Sequence, residues 1–252
     1  MQAYRSAFAR VYNLRWGGFA QAVAPRLREF YERAAGNGER TLLDLACGAG
    51  HLALHFLEQG YRVTGIDLSE SMLEYARRNT AIYIESGQAR FIQADAAHFT
   101  LDRPVGLAVS TYDALNHLEN LAALGSCFRS VRAALLEGGL FIFDLNTRLG
   151  LKQNWNGVHV EDTEELALIN RGLFDELGGV AVTRITGFVL NENGLYERFE
   201  ETVYNTVFAM RDVEQALLEA GFSRAYPASG QDLSLPLEDP ESIGRVFYVA
   251  YA

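Results

Sequence analysis

The chain opens on an aromatic stripe. Tyr4, Phe8, Tyr12, Trp16 and Phe19 follow one another at steps of four, four, four and three, which puts them on one helix face. The spacing predicts helical structure over residues 1–35, interrupted at Gly17-Gly18. From Thr41 onward, short apolar runs alternate with amphipathic segments. Strands are expected at Thr41–Leu45, Val63–Ile66, Phe91–Gln93, Val105–Val109 and Leu140–Leu145. A helix after Gly50 carries Leu52, Ala53, Phe56 and Leu57 and stops at Gly60, and Ser69 and Asn120 stand where N-caps belong. The Asn120 helix presents Leu121, Leu124, Phe128, Val131 and Leu135 on one side and is expected to end at Gly138-Gly139. Strands alternating with helices imply a parallel, doubly wound α/β sheet whose ligand site lies at the C-terminal strand ends.

After Thr147 the runs lengthen and alternate with period two. Val180–Leu190 and Leu195–Phe208 flank Asn191-Glu192-Asn193-Gly194, where Asn-Gly predicts a tight hairpin turn. A loop of only Asn193 and Gly194 would pair Phe188 with Phe199. A helix over 211–220 and strands near 222–226 and 246–251 then return the chain to the main sheet. The expected division is a helical lid (1–35), a ligand-binding core (36–147), an antiparallel β insertion over the second substrate (148–210) and a completion of the core sheet (211–252).

Composition narrows the class. Of 252 residues, 49% are apolar and 21% charged, as in an ordinary globular protein. The longest apolar candidate for a membrane span, Leu45 to Leu57, is broken by glycines and histidines, so no membrane partner is expected. Arg5, Arg10 and Arg15, with no acid before Glu29, faintly echo a transit peptide, but no secretory apolar core follows and the segment reads as mature sequence. Cys47 and Cys127 form neither a metal-spaced pair nor a disulfide framework, which suits the cytoplasm. The net charge of −10 argues against nucleic acid as a partner. It is unevenly spread: residues 1–150 hold 15 basic and 15 acidic side chains, residues 151–252 hold 7 and 17.

The strongest chemical signal is the strand, glycine turn and helix from Leu42 through Asp44, Ala46, Gly48 and Gly50. Glycines there let the backbone approach a ligand and expose helix N-terminal amides. Alone, Gly48-x-Gly50-x-x-Ala53 also fits the dinucleotide fingerprint, with Asp67 near the ribose spacing. Asp44 weighs against that reading, because a carboxylate at the first strand end would repel a pyrophosphate at short range. It suits a cationic ligand such as S-adenosyl-L-methionine, which carries an ammonium and a sulfonium. Asp67 and Asp95 end the second and third strands at the same edge and could serve a ribose and an adenine amino group.

In order and spacing, Asp44–Gly50, Gly65–Met72, Ala94-Asp95-Ala96 and Leu136-Glu137-Gly138-Gly139 resemble the successive motifs of class I SAM-dependent methyltransferases over residues 40–147. The resemblance implies a Rossmann-like sheet of seven strands, the last antiparallel, and S-adenosyl-L-methionine as donor with S-adenosyl-L-homocysteine as product. It implies that the backbone at Ala46 and Gly48 meets the methionine end. Asp67 would then meet the ribose, Leu68 and Met72 the adenine face, and Asp95-Ala96 its edge. Asp44, Gly50 and Thr111 complete the expected cofactor contacts. The helical N-terminus and the β insertion further resemble the small-molecule branch that includes deoxysugar-amine N,N-dimethyltransferases.

The acceptor is expected beside Ser110–Leu118, where polar and aromatic residues follow the fourth strand. His117 is the candidate base and Asp113 an orienting carboxylate; equally, Asp113 or Asn116 could cap the next helix. In the branch it resembles, His117 matches a position that often holds histidine or tyrosine. Tyr12, in a segment resembling a Tyr-Asp lid with Asn13 in place of the acid, and Trp16 are candidate lid and substrate contacts. The alternative is that this stripe only packs on the sheet. Arg198, Glu200, Thr202 and Tyr204 share one strand face, so Glu200 and Tyr204 either touch the acceptor or face solvent. His51 and His55 have metal spacing without a third ligand, and no metal is expected. Three functions remain open: methyl transfer to nitrogen or oxygen of a small neutral or cationic acceptor, a nicotinamide oxidoreductase, and a non-catalytic SAM-binding protein. The protein is expected to be a monomer or homodimer.

Overall fold

The computed structural model describes residues 6–34, 38–191 and 193–252. Two helices, α1 (Ser6–Arg15) and α2 (Gly18–Ala34), break where the sequence places Gly17, and Tyr4 lies outside the described residues. The chain continues through β1 (Thr41–Leu45), α3 (His51–Glu58), β2 (Arg62–Asp67), α4 (Glu70–Asn79), α5 (Ala81–Glu85), β3 (Ala89–Gln93) and β4 (Val105–Ser110). A 3-10 turn (Ala114–His117) leads to α6 (Leu121–Ala134), β5 (Leu135–Asn146) and α7 (Arg148–Asn154). There follow β6 (Gly157–Asp162), β7 (Leu166–Asp175), β8 (Val180–Leu190), β9 (Tyr196–Thr206), α8 (Met210–Glu219), β10 (Arg224–Ser229), β11 (Asp232–Pro236) and β12 (Arg245–Tyr251).

The main sheet runs β11-β10-β12-β5-β4-β1-β2-β3. Strands β1 to β5 are mutually parallel, and β12 runs antiparallel between β5 and β10. The sheet therefore has eight strands rather than seven, because β11 pairs onto the edge of β10 beside a register shift at Ala228/Ser229. Strand order reverses between β1 and β4, the place where open α/β sheets hold ligands. One face packs α6 and α8 over Leu43, Leu45, Phe141 and Phe143; the other packs α2 and α3 over Leu42, Leu107 and Ile142. Each fully buried large side chain of these two cores contributes about 1.5–3 kcal/mol by leaving water. Tyr248 stacks on Phe143 at 5.3 Å and donates its hydroxyl to the Met210 carbonyl (2.7 Å), so a buried polar group on the antiparallel strand is satisfied by α8.

The expected caps are present: Ser69 accepts from Met72 N–H (3.3 Å) and Asn120 from Ala123 N–H (3.0 Å). Helix α6 ends earlier than Gly138-Gly139 predicts. Leu135 is extended and buried against Val105, and Gly138 takes its left-handed turn (φ +72°) within β5.

The insertion is a four-stranded antiparallel sheet, β6-β7-β8-β9, twice the hairpin the sequence announces. Its register also differs: Leu190 pairs with Tyr196 and Gly187 with Phe199, so Phe188 meets Arg198 rather than Phe199. The side chain of Asn191 accepts from the Asn193 and Leu195 amides (3.0 Å each), widening the loop to 191–195. A one-residue shift moves every side chain to the other face. Phe199 consequently turns inward, its ring filling the space that a side chain at Gly187 would need.

Candidate active site

Between β1 and α3 the backbone takes left-handed geometry at Ala46 (φ +56°), Gly48 (φ +53°) and Gly50 (φ +76°). For Ala46 that conformation costs on the order of 1–2 kcal/mol, and the strain sits at the end of the first strand. Gly48 lies under the Tyr12 ring, 3.3 Å from where a Cβ would stand. At Gly50 the constraint is packing, since a Cβ would lie 3.0 Å from the Ala76 methyl on α4.

Three carboxylates end the first three strands. Asp44 is buried and accepts one protein hydrogen bond, from Ala53 N–H (3.1 Å). Burial pushes its pKa up to about 8, against the Ala53 amide and with the Asp67 charge. Asp67 bridges two loops, accepting from Gly48 N–H at Oδ2 and Ser69 N–H at Oδ1 (2.8 Å each). Burial raises its pKa too, opposed by those amides and by His117. Among the described residues no lysine or arginine pairs with either acid, and two such buried acids are what a cationic ligand would complete. Asp95 is exposed and caps the following turn through Ala97 N–H (2.8 Å), with Ala96 half-buried beside it. Leu68 is 50% exposed and Met72 is buried, so the apolar patch for an adenine falls mainly to Leu68. Gln93, whose amide donates to the Leu68 carbonyl (3.0 Å), ties that rim to β3.

Helix α1 covers this edge. Tyr12 and Trp16 line a narrow cleft, partly open to solvent, with Asp44, Ala46, Cys47, His51, Thr111 and Tyr112 among its walls. Asn13 accepts from the Asn79 amide (2.7 Å), which also donates to the Ala49 carbonyl (2.9 Å). Asn13 thus joins α1 to both the glycine loop and α4, although it replaces an acid. Among the described residues Phe8 is the buried member of the stripe, edge-on to Phe199 at 6.0 Å, while Phe19 stacks on Tyr112. Burial holds the Cys47 thiol well above its usual pKa, and His51 lies with its ring against Gly17. No metal-ligating cluster occurs among the described residues.

On the other side of the pocket, β4 runs into Tyr112 (φ +66°) and Asp113 (φ +51°), two consecutive non-glycine residues in left-handed geometry. Their amides donate to Asp144 Oδ1 (2.7 Å) and Oδ2 (3.0 Å). Asp113 is buried and faces Arg245 (2.8 Å), so its carboxylate is already engaged away from the pocket walls. Asn205, its amide oriented to satisfy both neighbours, donates to Asp113 (3.1 Å) and accepts from the Trp155 indole (3.3 Å). Asn116 is no cap. Its amide donates to the carbonyls of Asn146 (3.2 Å) and Thr206 (2.9 Å), clamping the 3-10 turn between β5 and β9. His117 is exposed, with Nδ1 2.8 Å from the Tyr204 carbonyl. A carbonyl only accepts, so Nδ1 carries the proton and Nε2 of the neutral ring is left as the basic nitrogen.

Arg198, Glu200, Thr202 and Tyr204 share a face as expected, and it is the outward one. Glu200 pairs with Arg184 (2.8 Å) and Arg198 (2.9 Å), and Tyr204 is 48% exposed. The structure therefore joins Tyr12, Trp16, Asp44, Ala46 and Thr111 in one pocket and leaves His117, Asp113 and the Glu200 and Tyr204 side chains out of its walls. The inward row is Phe199, Glu201, Val203 and Asn205, with Val203 against the cluster that holds Tyr12 and Trp16. The sequence singled out neither Glu201 nor Arg245. The alternation that would have found Glu201 was visible, but it lacked a register.

A fold wound about the β1/β4 switch point, with acids at three strand ends that form no ion pair with a lysine or arginine among the described residues, defines a SAM-binding α/β enzyme. Comparison with known proteins agrees. Residues 42–139 match a methyltransferase domain family. Over 185 residues, 72% of each chain, the protein is 30% identical to YqeM of Bacillus subtilis (strain 168), also placed among the methyltransferases. A dTDP-3-amino-3,4,6-trideoxy-alpha-D-glucopyranose N,N-dimethyltransferase of Streptomyces venezuelae is 28% identical over 143 residues, 56% of this chain and 58% of that one. The crystal structure of an S-adenosylmethionine-dependent methyltransferase from Clostridium acetobutylicum ATCC 824 superposes with a TM-score of 0.80 at 22% identity, covering 97% of each chain. The chain belongs to the S-adenosylmethionine-dependent methyltransferases, and the nicotinamide and non-catalytic readings fall away.

Proposed function

We propose that the protein methylates an amine nitrogen of a small neutral or cationic acceptor, with amino sugars as the leading class. The observation that carries this is the pocket wall beside the donor: the rings of Tyr12, Trp16 and Tyr112, with no lysine or arginine to hold an anion. The Streptomyces relative, named for a dTDP-linked amino sugar, supports the amine nitrogen but not the charge of the rest of the acceptor, since its diphosphate is an anion that these walls offer no lysine or arginine to hold.

When bound, S-adenosylmethionine supplies an electrophilic methyl carbon on sulfur and leaves as S-adenosylhomocysteine. Asp44 holds the ammonium, the backbone at Ala46, Gly48 and Gly50 faces the methionine end, and Thr111 borders it. Asp67 accepts from the ribose hydroxyls; Leu68, Met72, Asp95 and Ala96 receive the adenine. Residues 1–35, through Tyr12 and Trp16, act as a lid that excludes water, and the 148–210 insertion stands over the acceptor with Glu201 inward. His117 Nε2, or water, would take the proton that the acceptor nitrogen gives up on methylation. Asp113 acts through the turn it stabilises, and Glu200 and Tyr204 support the sheet. No helix among the described residues is long and apolar enough to cross a membrane. Both cysteines are free and buried, which supports a cytoplasmic setting.

Incubation with labelled S-adenosylmethionine and a panel of amines, amino sugars, phenols and phosphorylated sugars tests the proposal. Transfer to amino sugars is expected. Transfer confined to phenols, or efficient methylation of the phosphorylated acceptors, would overturn it.

A further inference from the structure

Arg245 opens the last strand of the main sheet, yet its partners lie 101 and 132 residues earlier. One guanidinium nitrogen donates to Asp144 Oδ2, and the other donates to Asp113 Oδ1 at 2.8 Å. The same group stands 4.8 Å from the Phe19 ring of α2 and 5.7 Å from the Tyr112 ring, and those rings stack at 4.9 Å. Arg245 therefore neutralises two adjacent buried acids and fastens the turn between them to the helix that follows α1. Without it, Asp113 and Asp144 would repel each other where solvent screens little, and the left-handed turn would lose the ion pairs of Asp113 and of Asp144, which accepts from the Tyr112 and Asp113 amides. Three residues downstream of Tyr112-Asp113 the 3-10 turn has reached Asn116, and His117 follows.

We propose that Arg245 is a positioning residue for methyl transfer: it holds the Tyr112-Asp113 turn so that Tyr112 walls the pocket and His117 stands at the acceptor. This rests on the acceptor site described above, and it adds a residue that touches neither donor nor acceptor. A lysine keeps the charge but supplies neither the fork that spans two carboxylates nor the flat face that stacks on Phe19.

The test compares the wild-type protein with Arg245→Lys, Arg245→Met and Phe19→Leu. The first readout is the imidazole carbon–proton resonance of His117 by NMR, which needs no acceptor. Arg245→Lys is expected to shift or broaden that resonance and to leave the dissociation constant for S-adenosylmethionine within about threefold, because the Asp67 and Asp95 rim is untouched. With an amine acceptor, kcat is expected to fall by about tenfold or more while KM moves less, and Arg245→Met is expected to fall further than Arg245→Lys. Phe19→Leu keeps both ion pairs and removes the stack, so it should displace the His117 signal in the same direction by less. If the arginine variants do not fold, Phe19→Leu alone decides. A His117 resonance at its wild-type position in a folded variant overturns the proposal. Failure of the wild-type protein to methylate any amine would instead overturn the acceptor assignment and leave the NMR comparison readable.

Discussion

On the donor side of the pocket, Asp44 and Asp67 are held by amides 9, 19 and 2 residues away in sequence. On the acceptor side, Asp113 and Asp144 are held by an arginine 132 and 101 residues away. The donor side uses backbone groups and left-handed loops that one strand, turn and helix can supply. The acceptor side borrows side chains from the last strand, the insertion and α2. The difference teaches how one fold can keep its donor while changing its acceptor: substitutions can accumulate across the second set of contacts without reaching the first.

The sharpest way to break this comparison is pH. Only ionised Asp44 attracts the ammonium, and with its pKa near 8 the ionised fraction falls steadily below that value. Affinity for S-adenosylmethionine is expected to weaken by up to about tenfold per unit from pH 8 to pH 6, read by calorimetry. A flat profile would remove Asp44 from the ammonium site. The stability of the ligand-free protein should run the other way. A carboxyl raised from 3.8 contributes fully below its unfolded value, and that contribution is lost as pH rises through about 8. The melting increment given by the donor should therefore grow with pH. Next in size, Asp67→Ala is expected to weaken donor binding by at least about tenfold, since a charge-assisted bond is lost, with acceptor discrimination unchanged.

On the acceptor side, Glu201→Gln should raise the KM for a cationic acceptor about fivefold without altering donor affinity. An equal loss of donor affinity would mean the two sides are not separable. The smallest effect belongs to Glu200→Gln, on the outward face, where steady-state constants should stay within about twofold. A larger change would put that face back in contact with the acceptor.

The same contrast explains what was legible in the chain. Asp44, Gly48, Gly50 and Asp67 are readable because a strand end, a glycine turn and a helix start are contiguous. The doubly wound order follows from alternation for the same reason. Strand β6 is almost wholly exposed, so no apolar run announces it. The β8–β9 register turns on one asparagine side chain, and alternation alone left open whether the face of Glu200 and Tyr204 or that of Glu201 and Asn205 turns inward. Tyr112 and Asp113 give no glycine to mark their geometry, and nothing near them in sequence points to Arg245.

The antiparallel placement of β12 between β5 and β10 also bears on the order in which the protein becomes competent during synthesis. The glycine loop, the Asp67 bridge and the helices that follow β1 and β2 all lie within residues 41–79, and the bridge closes between groups 19 residues apart or fewer. The Tyr112-Asp113 turn acquires its arginine only after residue 245 has been made and its strand has slid between two others. Contacts so distant form late. A nascent chain would thus build its donor cradle well before its acceptor wall, and the last strand to dock would be the step that makes it an enzyme.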